Sequence, residues 1–351
     1  MQRYRPADRP EVFDFLRNVF SPTESARIIG QWDWKYEANP FNPPEGPIVF
    51  ITRIGREPVS MVAGFRFPAW IGGATCEMEN LGMWVVHPTH RRQRIWARVE
   101  NQQVFQAPMA ISWGRRLSAR IGIKSGWVPS PMNPMLRIID PAQVIKHFSG
   151  ISALASLADA AQTAGRSMAR PFRHTPGRSD AAIRLQGFDQ RCDELWERAR
   201  RDDLAMVIRN RRYLQWRYCD RPDARYSVFG VEQSSELMGL LVARITSRNE
   251  LRWGYLVDFI VARGSDDHVL ATLIEAALVD FRRSGVAAAS CYASDPRCRG
   301  ILMRHGFFRA PQRDPMHLSL RANHQRSDLT EFASPPRWYI TMGDGDLELA
   351  S

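Results

Sequence analysis

The stretch Glu77–Glu100, EMENLGMWVVHPTHRRQRIWARVE, limits the possible folds more than any other part of the chain. It reads as a buried strand, a basic turn and the opening of a helix without interruption. Met83, Trp84, Val85 and Val86 form a short apolar run, which His87-Pro88 stops because proline cannot donate to a ladder. Thr89 to Arg94 then turn into a helix whose apolar positions Ile95, Val99 and Val104 recur at helical spacing. A strand that feeds a helix through a tight turn leaves backbone N–H groups unpaired at the helix start, and such groups bind phosphate. The expected ligand is therefore anionic and carries phosphate.

This order of elements resembles the acyl-CoA-binding motif of the GNAT acyltransferase superfamily, an apolar strand, V-x-P, then x-x-R-x-x-G-x-G/A and a helix. Val86, His87, Pro88, Arg91, Arg92, Gln93 and Arg94 stand in its positions. The sequence departs from the motif at two places, where residues that are small in the family are Arg94 and Trp96. Small residues there let the backbone approach the pyrophosphate, and bulky ones push it back. Three guanidinium groups, on Arg91, Arg92 and Arg94, are suited to pair with phosphate from the side instead. The resemblance implies acetyl-CoA or another acyl-CoA as co-substrate and no metal. It places cofactor binding on Met83, Val85, Arg91, Arg92, Gln93, Arg94 and Ile95.

A chain of 351 residues suits two domains of ordinary size. The five cysteines are odd in number and form no C-x-x-C pair, which argues against a disulfide scaffold and a zinc site. No apolar run nears the roughly 20 residues of a membrane span, and MQRYRPADRPEVF is not a signal peptide, so a cytoplasmic location without a membrane partner is expected. The net charge of +11 comes with only three lysines and with arginines spread from end to end. A nucleic-acid face would cluster its basic residues with stacking aromatics, so this spread argues against that partner.

Tyr4 to Phe20 reads as an amphipathic helix through Val12, Phe13, Leu16 and Phe20. Ile48–Thr52 and Val59–Phe67 read as an antiparallel hairpin about the turn Arg53–Pro58. In GNAT-like proteins the segment before these strands borders the acceptor pocket. By that resemblance Trp34, Tyr36 and Asn39 line it, the alternative being that they are packing. Gly126-Trp127 resembles the Gly-Phe junction that closes a GNAT domain. Residues 1–150 are thus expected as a GNAT-like domain with an altered CoA motif, 151–180 as a helix and linker, and 181–351 as a second such domain.

The second half repeats the order of the first. Trp216 to Tyr218 (WRY) mirrors Trp34 to Tyr36 (WKY), each followed by a polar, proline-bearing turn and a strand. Where the CoA turn would stand, the sequence holds ARGSDDHV, and the carboxylates of Asp266 and Asp267 repel a pyrophosphate, so no ordinary CoA site is expected there. His305 is expected at the surface. Asp344-Gly-Asp346 reads as a polar turn rather than a metal loop. The fold class is α/β (α+β), two tandem GNAT-like domains, each a mixed, mostly antiparallel sheet flanked by helices.

GNAT-type acyl transfer needs a base for the amine, an oxyanion donor and an acid for the thiolate. Glu77 and Glu79 are two apart on one strand, hence on one face, and are the candidate bases; the alternative is exposed sheet carboxylates. A backbone N–H near Met83 to Val85 is the carbonyl donor. The family's frequent acid is a tyrosine on the last helix, but no tyrosine lies between Glu37 and Gln190, leaving Ser118 or Ser112, or water. The expected function is an acyl-CoA-dependent N-acyltransferase acting on an amine of a small molecule or sugar. The alternatives are an inactive tandem GNAT protein that binds a ligand or partner, and an aminoacyl-tRNA-dependent transferase.

Overall fold

The computed structural model describes residues 1–93, 95, 106–148, 181–248, 250–265, 267–309 and 314–345. A two-residue strand, β1 (Gln2–Arg3), precedes helices Arg9–Val19 and Pro22–Gly30. The first helix turns Val12, Phe15 and Leu16 inward, whereas Phe13 is half-buried and Phe20 has already left the helix with an extended backbone. Ser21 caps the second helix by accepting the Glu24 N–H at 3.3 Å.

The hairpin expected at residues 48–67 is present and longer. β2 (Val49–Ile54), β3 (Glu57–Ile71) and β4 (Ala74–Val86) form an antiparallel meander. Then come β5 (Met109–Gly114), helix Arg116–Ile123, β6 (Val128–Pro131), β7 (Met135–Ile138) and helix Pro141–Phe148. The second half gives β8 (Ala182–Leu185), helix Gln190–Ala199, β9 (Ala205–Val207), β10 (Ser227–Gln233), β11 (Glu236–Arg248) and β12 (Leu251–Val261). Helix Asp267–Arg283, β13 (Ala288–Cys291), helix Pro296–Arg304, β14 (Phe308–Arg309), β15 (His317–Ala322) and β16 (Trp338–Tyr339) follow.

These strands make two mixed sheets. The first runs β1-β2-β3-β4-β5-β15-β6, with β9 beside the far end of β3 and β16 beyond β9; the second runs β14-β7-β13-β12-β11-β10-β8. Each sheet therefore draws on the opposite half, the first through β9, β15 and β16 and the second through β7. β15, late in the chain, lies between β5 and β6, and β7, early in the chain, lies between β13 and β14. Neither sheet is contained within one of the stretches expected as domains. A β6–β7 hairpin is disfavoured by Pro131 and Pro134, which have no N–H to give. The two crossing connections instead meet each other, Met132 N–H donating to Met316 O at 2.7 Å. The exchange welds the halves into one apolar core that runs from Met78 and Ile111 in the first sheet to Leu256 and Cys291 in the second.

The Gly-aromatic junctions occur in both halves. Gly126 and Gly306 have φ of +79° and +78°, and the next residues, Trp127 and Phe307, donate back to Gly122 O and Leu302 O at 3.1 Å. This is the helix stop that needs a left-handed residue, leading directly into β6 and β14. His305, expected at the surface, is half-buried instead, with Nδ1 2.9 Å from Ile301 O and burial pulling its pKa down.

Candidate functional site

The site is built where β4 and β5 part. Their parallel ladder pairs Met78 with Met109, Glu79 with Ala110 and Asn80 with Ile111, and goes no further although β4 runs on to Val86 and β5 to Gly114. The cause is an irregularity in β4 at Leu81-Gly82, where the register against β3 shifts. Such a bulge bends the strand and swings it away from its neighbour. Gly64 stands opposite on β3, and a Cβ there would lie 2.8 Å from Asn80 O, so the close approach needs glycine. The result is a wedge in which no described strand pairs with this side of β4 beyond Asn80. Ser112 Oγ spans its narrow end, donating to Leu81 O at 3.0 Å.

The wide end of the wedge closes on a 3-10 turn, Pro88–Gln93. His87 N–H donates to Val59 O and His90 N–H to His87 O, both at 2.9 Å, which pins the turn to the end of β3. His87 Nδ1 lies 2.7 Å from Thr89 Oγ1, consistent with a structural part for that ring. Arg91 and Gln93 are exposed, the latter 3.1 Å from His90 Nδ1 through its amide oxygen. Ile95 is buried against Val59 and Val62 and anchors the next turn on the sheet. The side chain of Arg92, and Arg94 and Trp96 as a whole, lie outside the described residues. Met83 and Val85 turn their side chains onto Phe15 and Met61 beneath the first helix, so what they offer the wedge is backbone.

Glu77 and Glu79 share a face, as their spacing implies, and both reach Arg66 on β3, at 2.9 and 3.0 Å. They differ in burial, Glu77 being exposed and Glu79 having 1% of its side chain accessible. Glu79 Oε2 also accepts the Gln106 N–H at 3.0 Å, tying β4 to the entry of β5. Burial raises the pKa of Glu79, and the neighbouring Arg66 and the Gln106 and Ala107 amides only partly offset it. Ser118 is exposed on the helix after β5; a Cβ on Gly114 would stand 2.8 Å from its Cβ.

The expected acceptor-lining residues require correction. Trp34, Tyr36 and Asn39 are 7%, 3% and 4% exposed and serve packing. Trp34 stacks on Trp216 of the second half, and Tyr36 packs against Trp32 with the rings tilted at 56°. Asn39 Nδ2 donates to Arg66 O at 3.1 Å and its Oδ1 accepts the Phe41 N–H at 2.8 Å.

The second sheet has a corresponding parting of strands, and it is full. β12 and β13 pair in parallel from Trp253–Ala288 to Leu256–Cys291, after which β12 continues alone, again with a register shift against β11 beside Asp258. The gap holds the segment Trp338–Gly345. On one side Thr341 bridges to Ala293, and Ser294 N–H donates to Ile340 O at 2.9 Å. On the other, Tyr339 OH donates to Phe259 O at 2.7 Å and Thr341 Oγ1 to Asp258 at 2.8 Å. Asp258 also accepts from Tyr218 OH at 2.8 Å and from Arg209 Nε at 2.9 Å, and Arg209 reaches Asp344 at 2.8 Å. Arg209 and both its carboxylates are buried. Burial opposes the Arg209 charge, but Asp258 and Asp344 outweigh it and hold the guanidinium firmly protonated. Asp344 is thus an internal counter-ion. Asp346 lies outside the described residues, and no group of three potential metal ligands occurs among those described. Asp267, whose carboxylate was expected to repel a pyrophosphate, pairs with Arg297 and Arg304 of the following helix at 2.5 and 2.6 Å.

Sequence reasoning missed Arg66, Arg209 and Asn80. The first two read as surface arginines among many. Asn80 follows the candidate base in E-x-E-N, and only the end of the ladder marks it out.

An open parallel wedge beside a basic turn, with a bulged central strand, defines the GNAT class of fold. Residues 1–110 match the family model described as an acetyltransferase (GNAT) domain. No curated protein sequence matches the chain. Among solved structures, a probable N-acyltransferase of unknown function from Enterococcus faecalis V583 has 11% identity and a TM-score of 0.54 over 92% of this chain and 71% of its own. A GCN5-related N-acetyltransferase from Anabaena variabilis ATCC 29413 has 10% identity and a TM-score of 0.53 over 92% and 72%. Residues 1–110 thus carry a GNAT acetyltransferase domain, and the chain as a whole shares the fold of these two structures. No helix among the described residues is long and apolar enough to cross a membrane.

Proposed function

We propose that the protein is an acyl-CoA-dependent N-acyltransferase that acts in the first wedge, transferring an acetyl or longer acyl group to an amine of a small molecule or sugar. The observation that carries this reading is the end of the β4–β5 ladder at Asn80 and Ile111, beyond which no described strand pairs with this side of β4 on the way to the turn Pro88–Gln93. An amide-bearing pantetheine arm fits such an edge because it pairs with strand backbone as another strand would. The second parting does not fit, since Trp338–Gly345 already occupies it.

Bound in the first wedge, an acyl-CoA supplies the thioester carbon that the amine attacks, a C–N bond forming as the C–S bond breaks. Arg91, Arg92 and Arg94 neutralise its phosphates, with Gln93 and the turn amides adding hydrogen bonds. Ile95 holds the turn in place. Backbone amides of Met83 to Val85 polarise the carbonyl. Glu79 takes the amine proton, its raised pKa suiting a base that works nearer neutrality than a solvated carboxylate, while Glu77 shares Arg66 with it. Ser118 donates a hydrogen bond to the departing thiolate, which takes its proton from the water that reaches this exposed residue.

The test is thermal stabilisation by CoA, acetyl-CoA and long-chain acyl-CoAs. Ligand at 100 times its Kd stabilises by about 2.7 kcal/mol, a shift of several degrees, and Arg91→Ala diminishes it. If no member of the series moves the melting temperature of the wild-type protein, the wedge is not a CoA site and the reading fails.

A further inference from the structure

Helix Arg116–Ile123, which follows β5, is nearly all surface. Ala119 alone is buried and Gly122 half-buried, and its other residues are exposed. A Cβ on Gly122 would lie 3.2 Å from Trp127 Cβ, and one on Gly114 lies 2.8 Å from Ser118 Cβ, so the side that carries Ser118 and Gly122 is the seated one. Leu117, Ile121 and Ile123 are 72%, 40% and 55% exposed. They are three of the ten exposed large hydrophobic residues among the described residues, gathered on one helix of eight. A single exposed apolar residue is ordinary, whereas several on one short element mark a surface kept for a partner.

The charge of the same helix is all of one sign. Residues four apart lie one above the other on a helix, which stacks Leu117 with Ile121 and, in the next row, Arg116 with Arg120. Lys124 follows at the C-cap and is exposed, as are Arg116 and Arg120. Arg115 is engaged, its Nη1 donating to Asp314 O at 2.9 Å. No aspartate or glutamate occurs anywhere from Asn101 to Ile139, although the whole chain has 37 acidic residues. Charge complementarity therefore calls for an anionic partner, and the exposed aliphatic side chains call for an apolar one. A nucleic acid is met with aromatic rings that stack on bases, and this helix has none. A second copy of the chain would set like charge against like. An anionic bilayer satisfies both demands, and lying on it needs no helix long enough to cross it.

We propose that helix Arg116–Ile123 docks the protein on an anionic membrane surface, with Leu117, Ile121 and Ile123 entering the headgroup layer and Arg116, Arg120 and Lys124 at the lipid phosphates. Each cation near such a surface strengthens binding about 5-fold, so the three together supply about 100-fold, to which the aliphatic side chains add. The docking does not depend on which acyl group or amine the first wedge takes.

The experiment sediments the full-length protein with vesicles of phosphatidylcholine alone and of phosphatidylcholine with about 30% phosphatidylglycerol, at about 0.1 M salt. The protein is expected to bind the mixed vesicles about 100-fold more tightly, and to lose that preference near 1 M salt, where screening acts over about 3 Å. Arg116→Gln with Arg120→Gln should weaken binding to the mixed vesicles about 25-fold, and Leu117→Gln with Ile121→Gln at least about tenfold. Both pairs change exposed side chains only, so melting temperatures equal to that of the wild type separate lost docking from lost folding. A wild-type protein that stays in the supernatant with both vesicle types overturns the proposal, and so does binding that neither double variant weakens. Binding that duplex RNA or DNA competes away, and that the Leu117→Gln, Ile121→Gln protein retains in full, gives the face to nucleic acid and overturns it as well.

Discussion

Trp34 and Trp216 bond to each other's backbone. Trp34 Nε1 donates to Trp216 O at 2.7 Å and Trp216 Nε1 to Trp34 O at 3.1 Å, with the rings stacked 5.3 Å apart at 23°. Each tryptophan opens one of the two W-basic-Y motifs, and each motif lies on a short π-helical turn, Asp33–Glu37 and Gln215–Cys219. The repeated signature in the sequence therefore marks a reciprocal contact, in which two copies of one device face each other across the junction of the halves. What the basic and aromatic positions do has diverged. Lys35 stands over Phe65 at 5.2 Å, whereas Arg217 donates to Gly343 O and Gly345 O and Tyr218 to Asp258.

Removing either indole should loosen both halves together. Trp34→Ala leaves a large cavity in the shared core and strips Trp216 O of its donor, a loss of about 3–5 kcal/mol. Trp34→Phe retains most of the packing and costs about 1–2 kcal/mol through the lost hydrogen bond. A chemical denaturation series checks this, and the double change Trp34→Phe with Trp216→Phe should cost less than the sum, since each ring orients the other.

The N-terminal helix is tied down by a carboxylate whose effect depends on pH. Glu37 accepts from Trp32 Nε1 at 3.0 Å and bonds Arg9 and Tyr4 OH. Burial works to raise its pKa, but Arg9 and the two aromatic donors prevail and leave it lowered. A lowered native pKa gives stability that is present above the unfolded value, about 4.3, and is lost as pH falls through the native one. Glu37→Gln should therefore be less stable than wild type at pH 7, and the gap should close as both are unfolded at successively lower pH down to about 3. A gap that does not depend on pH would mean that Glu37 acts by packing alone.

Much of this architecture is legible in the sequence because its causes are local. The hairpins, the helix Asp267–Arg283 and the Gly-aromatic stops follow from alternation, helical spacing and positive φ. The strand exchange is not legible, since four residues such as Met135–Ile138 alternate in the same way whichever sheet they join, and the choice is made by partners over 100 residues distant. The same applies to Arg209, Asp258 and Asp344. Charge reads as surface until the fold buries three charged residues together, and the segment Trp338–Gly345 reads as a tail until it is found inside the second sheet.

That insertion makes its own prediction. A Cβ on Gly343 would run into the Tyr218 hydroxyl and come within 3.0 Å of Asp258. Gly343→Ala must then push the segment out or break the bond from Tyr218 to Asp258, with a cost of about 2–4 kcal/mol. Tyr218→Phe alone costs less, because Asp258 keeps Arg209 and Thr341. Combined, the two changes should recover part of the Gly343→Ala loss, as the clashing oxygen is gone. Thermal unfolding of the four proteins tests this, and strict additivity would show that the glycine is needed for another reason.

The last prediction concerns the base. Glu79 sits one residue before the end of the ladder, with its pKa raised chiefly by burial. Deprotonated Glu79 is the active form, so turnover should rise with pH along a limb that lies above the range of a solvated carboxylate, about 4. Glu79→Gln should retain the bond to the Gln106 amide through its side-chain oxygen, lower kcat about 10²- to 10⁴-fold and abolish that limb. Acyl-CoA affinity should change little, since the phosphates are gripped at the far end of the wedge. A Glu79→Gln protein that turns over at the wild-type rate, measured as thiol release in the presence of an amine acceptor, would assign Glu79 to structure and move the search for the base to solvent.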